Sequence, residues 1–176
     1  MTGKPYLAIP SKIIQSLQYK ILHRIVACNS WLNQIKERDD AECNCCNKTD
    51  DLVHFFIECK NADHLWHRIV EWMGKILQDR LAITPRDIMF GYSGNNVNKE
   101  IINYCLILAK YYIYCVKIKI KSNDLNLLDY IRIVKNELTV KYEAACLKDK
   151  REIFELKWNG VIISMNCCKI MNNVWL

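Results

Sequence analysis

Proline and glycine are scarce, at three and five residues in a chain of 176. Few turn-formers and helix-breakers are therefore available, and helix starts ahead of other structure. No segment repeats, no tract is low in complexity, and no strand-like alternation competes with helical spacing. Hydrophobic residues make up 51% and charged residues 25%, a globular balance that excludes wholesale disorder. The opening MTGKPYLAIP lacks a basic segment followed by an apolar run and a small-residue cleavage site. Secretion is therefore not expected, and an intracellular setting, nuclear or cytoplasmic, is. A long uncharged apolar run is missing too. The most apolar stretch, 101–120, is interrupted by Asn103, Lys110, Lys117 and Lys119, and its longest uncharged run is the nine residues from Ile101 to Ala109. A membrane span needs about 20 mainly apolar residues, so this stretch reads as a core helix.

Cysteine, by contrast, is abundant, with ten residues. Outside an oxidising compartment, metal ligation or buried thiols explain cysteines better than disulfides do. Cys28, Cys105, Cys115 and Cys146 fall singly in apolar helical patterns, where a cysteine acts as a small hydrophobe. The others include a constellation with spacing Cys43-x2-Cys46-x7-His54-x4-Cys59. Zinc favours four soft or borderline donors in a tetrahedron, and a C-x2-C pair on a tight loop supplies two of them without strain. His54 and Cys59 would close the site from the following helix and its end. Four chain ligands leave no position for water, so the metal, one Zn2+ per chain, is expected to be structural. Cys45 complicates the assignment, since it sits between two of the ligands and could replace one. A thiolate pair held by metal is not free for redox exchange.

Hydrophobic spacing places helices along most of the chain. Ile13, Ile14, Leu17, Ile21, Leu22 and Ile25 recur at three- and four-residue intervals after Pro10 and Ser11. Asn29 is placed to cap a short helix with Trp31, Leu32 and Ile35, and Thr49 or Asp50 to cap the one that carries His54. A further helix is predicted from about Ala62 to Gln78, with Leu65, Trp66, Ile69, Trp72, Met73 and Ile76 inward. Pro85, Gly91 and Gly94 mark a connector. Beyond it the pattern predicts helices over 97–121, from an Asn123 or Asp124 cap to Leu147, and over 148–158. The expected fold is all-α: a zinc-knuckle helical subdomain at 11–80, a helical tail subdomain at 97–158, and an irregular tail at 159–176.

The stretch from SLQYKILHRI through CNSWL, CNCC, DDLVHFFIEC and ADHLW resembles the carboxy-terminal zinc-binding region of LINE-type (non-LTR) retrotransposon reverse transcriptases. The resemblance rests on Lys20 and Arg24, Leu32, the four ligands, and Trp66 seven residues beyond Cys59. The ITPRDIMFG and ILAKYYIY segments are similar to the helical tail of that family, which extends the match over roughly 11–158. It implies a module that holds element RNA or target DNA for target-primed reverse transcription, beside the polymerase portion of a parent enzyme. No aromatic-x-Asp-Asp motif occurs, and Pro85-Arg86-Asp87 breaks the Pro-Asp pair of the restriction-like nucleases that some relatives carry. This chain by itself is therefore expected neither to polymerise nor to cut.

Net charge is +6 with pI near 8.7, the surplus lying toward the two ends. That is compatible with nucleic acid. Candidate phosphate contacts are Lys20, His23, Arg24, Lys36 and Arg38 around the knuckle, with Lys110, Lys117 and Lys121 along the long helix. Trp31 or Phe55 could stack on unpaired bases. The alternative is a protein-interaction module in which zinc serves the fold alone. No membrane partner is expected.

Overall fold

Ile14, Leu17, Gln18 and Ile21 form the buried stripe of α1 (Lys12–Leu22), while Ile13, Leu22 and Ile25 stay largely exposed. The computed structural model describes residues 12–120 and 124–172 and is mostly helical. After α1 come α2 (Asn29–Gln34), a π-helical turn (His54–Glu58) and α3 (Lys60–Leu77). The short α4 (Pro85–Phe90) leads to α5 (Lys99–Tyr114), which continues as a π-helical stretch (Cys115–Ile120). The antiparallel partner of α5 is α6 (Leu127–Cys146), and α7 (Arg151–Asn172) completes the order. Among the described residues there is no strand, only an isolated antiparallel bridge between Glu42 and Thr49. The all-α expectation holds.

Several boundaries differ from those the sequence predicts. Asn29 is the first residue of α2 rather than its cap; its N–H donates to Asp50 Oδ2 at 3.1 Å. Asp51, one residue beyond the predicted pair, accepts from the His54 N–H at 2.8 Å. The side chain of Asn126, not Asp124, caps α6 by accepting from the Leu128 N–H at 2.8 Å, and Asn123 lies outside the described residues. The expected irregular tail is helical as far as Asn172, as a continuation of α7. Its lack of a clear apolar period hid it, because period reports one-sided burial rather than helix itself.

Glycine scarcity shows in how helices end. Arg24, Lys36, Gln78 and Asp149 take the left-handed backbone conformation that glycine usually supplies past a helix. At Arg24 the closure is a Schellman motif: Ile25 N–H reaches Lys20 O at 2.9 Å and Arg24 N–H reaches Ile21 O at 3.1 Å.

One apolar cluster joins both halves of the chain. It contains Phe55, Phe56 and Ile57 of the π-helical turn, Leu65, Trp66 and Ile69 of α3, and the inner faces of α5 and α6. Trp158 of α7 meets Tyr104 of α5 edge to face at 5.1 Å, and Trp72 of α3 meets Tyr130 of α6 in the same way at 5.8 Å. The Tyr130 hydroxyl donates to Cys105 O at 3.1 Å, locking α6 against α5. The segment Lys99–Ile118 is long and apolar enough to cross a membrane, but 67% of that window is buried inside the fold, as in a core helix.

Candidate metal centre

The chain reverses between Glu42 and Thr49 to form a knuckle. Cys43 N–H donates to Lys48 O at 2.7 Å, Asn47 N–H to Cys43 O at 3.0 Å, and Asp50 N–H to Ala41 O at 2.8 Å. Asn47 turns the chain in the left-handed region, which asparagine tolerates better than most residues. Cys43 and Cys46 leave this loop on the same side as the π-helical turn. In that wider turn the Cys59 N–H bonds to His54 O, five residues back, at 2.9 Å. His54 and Cys59 are thereby brought over one another.

The outcome is a closed cluster. Donor atoms of Cys43, Cys46, His54 and Cys59 all lie within 4.8 Å of one another. Cys43 Sγ and Cys59 Sγ are 3.8 Å apart, and Cys46 Sγ lies 3.1 Å from His54 Nε2. A tetrahedral ion with sulfur bonds of about 2.3 Å sets sulfurs about 3.8 Å apart, which the first pair matches. Cys43, His54 and Cys59 are buried and Cys46 is half-buried. The cluster can hold a metal ion.

Electrostatics differ across the set. Burial pushes the Cys43 thiol up to about 12, opposed by the N–H groups of Cys45 and Cys46 aimed at its sulfur. Burial alone would also raise Cys59. Its net shift is nevertheless downward, through the Lys117 ammonium and the N–H groups of Asn61 and Ala62. Amide groups that converge on sulfur favour the thiolate, the form a metal binds. Cys45 is half-buried, and its thiol is raised by burial and then by the neighbouring Cys59. It is not among the four convergent donors.

Two residues, one in the following helix and one far along the chain, serve the π-helical turn. Lys117 Nζ donates to Phe55 O at 2.7 Å and sits 4.6 Å from the centre of the Phe55 ring. Trp66 Nε1 donates to Phe56 O at 2.7 Å. The sequence places Lys117 on a phosphate-binding face, and the structure turns it toward the Cys/His cluster instead. No local signal could reveal this, since contact with Phe55 depends on how α5 packs.

Other candidate nucleic-acid residues divide sharply. Lys110 is 3% exposed and donates to Gln18 Oε1 at 2.7 Å and Met89 O at 3.1 Å, so it is a core residue and not a surface cation. Its place in the apolar pattern at the middle of α5 explains the burial. Arg38 is half-buried and is spent on Asp40, Asn29 and Asn44, which strap α2 to the knuckle. Phe55 is buried and cannot stack on a base. His23, Arg24 and Lys36 are exposed, Lys20 is half-buried at the end of α1, and Trp31 is half-buried. The ring of His23 rests against Tyr19 at 4.1 Å. Lys121 lies outside the described residues.

No protein-family model, no curated protein and no solved structure matches this chain.

Proposed function

We propose that this chain is a non-catalytic module organised round one structural zinc ion, and that its α1 side binds nucleic acid. The convergence of three cysteine sulfurs and one histidine nitrogen within 4.8 Å carries the metal half of this reading. Thiolate-rich sets with one imidazole suit zinc in preference to the harder divalent ions. The four residues would hold the ion without an open position, so it would supply folding free energy rather than a reactive water. For the nucleic-acid half, the support is the resemblance to the LINE-type zinc region together with the exposed Arg24 and Lys36, the half-buried Lys20 and the exposed imidazole of His23. On that reading the module holds element RNA or target DNA beside a polymerase.

Metal analysis of the purified protein should find one zinc per chain. Cys46→Ser or His54→Ala should lower that stoichiometry, whereas Cys45→Ser should leave it near one. Full occupancy in a Cys43/Cys59 double mutant would end the assignment. The nucleic-acid half predicts binding of RNA or DNA at low salt that weakens steeply as salt rises.

A second reading, a protein-interaction module, is favoured by α7. Leu156 is 88% exposed beside a cavity of about 660 Å³ lined by Leu138, Tyr142, Phe154 and Ile162. Absence of any RNA or DNA binding by the zinc-loaded protein would leave this reading in place.

A further inference from the structure

Surface lysines and aromatic rings line a shared groove between α1 and α5. Lys12, Ile13, Ser16, Leu17 and Lys20 of α1 share a groove of about 290 Å³ with Tyr111 and Tyr114 of α5. The two lysines are separated by about 12 Å along the helix axis, at roughly 1.5 Å per residue. Among the described residues no acidic side chain lines the groove, and α1 contains none. Tyr111 and Tyr114 are half-buried, held by the core helix on one side and open to the groove on the other. Ile13, at the rim, is 59% exposed. None of these residues belongs to the metal cluster. Positive charge along a groove with an aromatic wall suits a strand whose phosphates and base faces are both accessible. A duplex hides its base faces and could use the lysines only.

We propose that the α1–α5 groove is the track for single-stranded nucleic acid, with Lys12 and Lys20 on backbone phosphates and Tyr111 and Tyr114 against the bases. The inference rests on the nucleic-acid reading above and deepens it by placing the strand. It adds Lys12 and both tyrosines to a face for which charge alone indicated Lys20.

The test uses the full zinc-loaded chain with labelled oligouridylate and oligothymidylate, followed by fluorescence anisotropy across a salt series. Lys12→Gln with Lys20→Gln should weaken binding to every sequence and reduce the log–log salt slope by about 1.4, at ~0.7 per phosphate contact on a single strand. Tyr111→Leu with Tyr114→Leu should keep the slope and weaken binding by roughly tenfold for each stacked base. If that pair disturbs folding, an abasic oligomer supplies the same comparison from the ligand side, since it keeps the phosphates and offers nothing to stack. Wild-type protein that binds while the lysine pair matches it in affinity and slope would overturn the groove and leave the broader reading intact. Failure of the wild-type protein to bind at low salt removes the broader reading and the groove with it. Equal competition by poly-glutamate or by duplex DNA would also overturn the proposal, reducing the groove to a patch of charge.

Discussion

At Lys117 a side chain that reads as a surface cation has become part of the candidate metal site's surroundings. A zinc ion held by three thiolates and a neutral imidazole would carry a net negative charge, and the Lys117 ammonium lies close enough to lower the Cys59 thiol. Its hydrogen bond to Phe55 O also fixes the turn that carries His54. Lys117→Met should therefore weaken metal retention by at least about tenfold, the usual scale for a group that orients or balances ligands. Competition with a chromophoric chelator measures this, and unchanged affinity in a folded variant would discard the role. Lys110 shows the opposite fate for the same residue type. Burial lowers its ammonium to about 7 from 10.5. Between those values the folded chain has released a proton that the unfolded chain keeps, so stability should rise with pH across the window. Below about 7 both states are charged, and the cost of the buried ammonium is felt in full. In Lys110→Met this part of the rise should vanish, which urea titrations at both ends of the window would reveal as a flatter pH dependence than in the wild type.

Among the elements, the π-helical turn does most to shape the site. Its five-residue closure places His54 and Cys59 over one cluster, and its Phe55 and Phe56 carbonyls accept from Lys117 and Trp66. The same Trp66 is one of the residues on which the LINE resemblance rests; its indole N–H supports the turn while its ring fills the core. Helix ends carry a different cost. The last turn of α3 closes through Gln78 in a left-handed conformation, with Asp79 N–H on Gly74 O at 3.1 Å. A side chain there is disfavoured by about 1 kcal/mol. Gln78→Gly should relieve that strain and stabilise the protein by up to about 1 kcal/mol, less what glycine adds to unfolded-chain entropy. Thermal or urea unfolding would show it; a destabilised variant would mean that the Gln78 side chain has a packing role outweighing the backbone strain.

For the molecule as a whole, the shared core governs how metal loss is felt. The knuckle region buries Phe55, Phe56, Ile57 and Cys59 in the same cluster as α3, α5 and α6. A structural zinc site contributes on the order of 10 kcal/mol to folding, comparable with the entire stability of a typical domain. Chelation should therefore lower the melting temperature of the whole chain in one transition, seen by circular dichroism, instead of melting 11–80 alone. Two separated transitions, with only the first sensitive to chelator, would instead support two subdomains divided at the connector.

The helical class, the core stripe of α3, and the four candidate ligands were legible in the sequence. Helical period, a shortage of breakers and short ligand spacing are local properties, set within a few residues. Everything that depends on which surface meets which was decided by the tertiary structure. Lys110 and Lys117 both belong to one long apolar segment, yet packing against α1 and α4 buries the first, while packing against the π-helical turn turns the second toward Cys59. Caps shifted by one or a few residues for the same reason, since Asp50 serves α2 across the knuckle rather than the helix that follows it. The groove that joins Lys12 and Lys20 to Tyr111 and Tyr114 brings together residues more than ninety positions apart. No period or spacing encodes that meeting, because it exists only once the apolar faces of α1 and α5 have left water together.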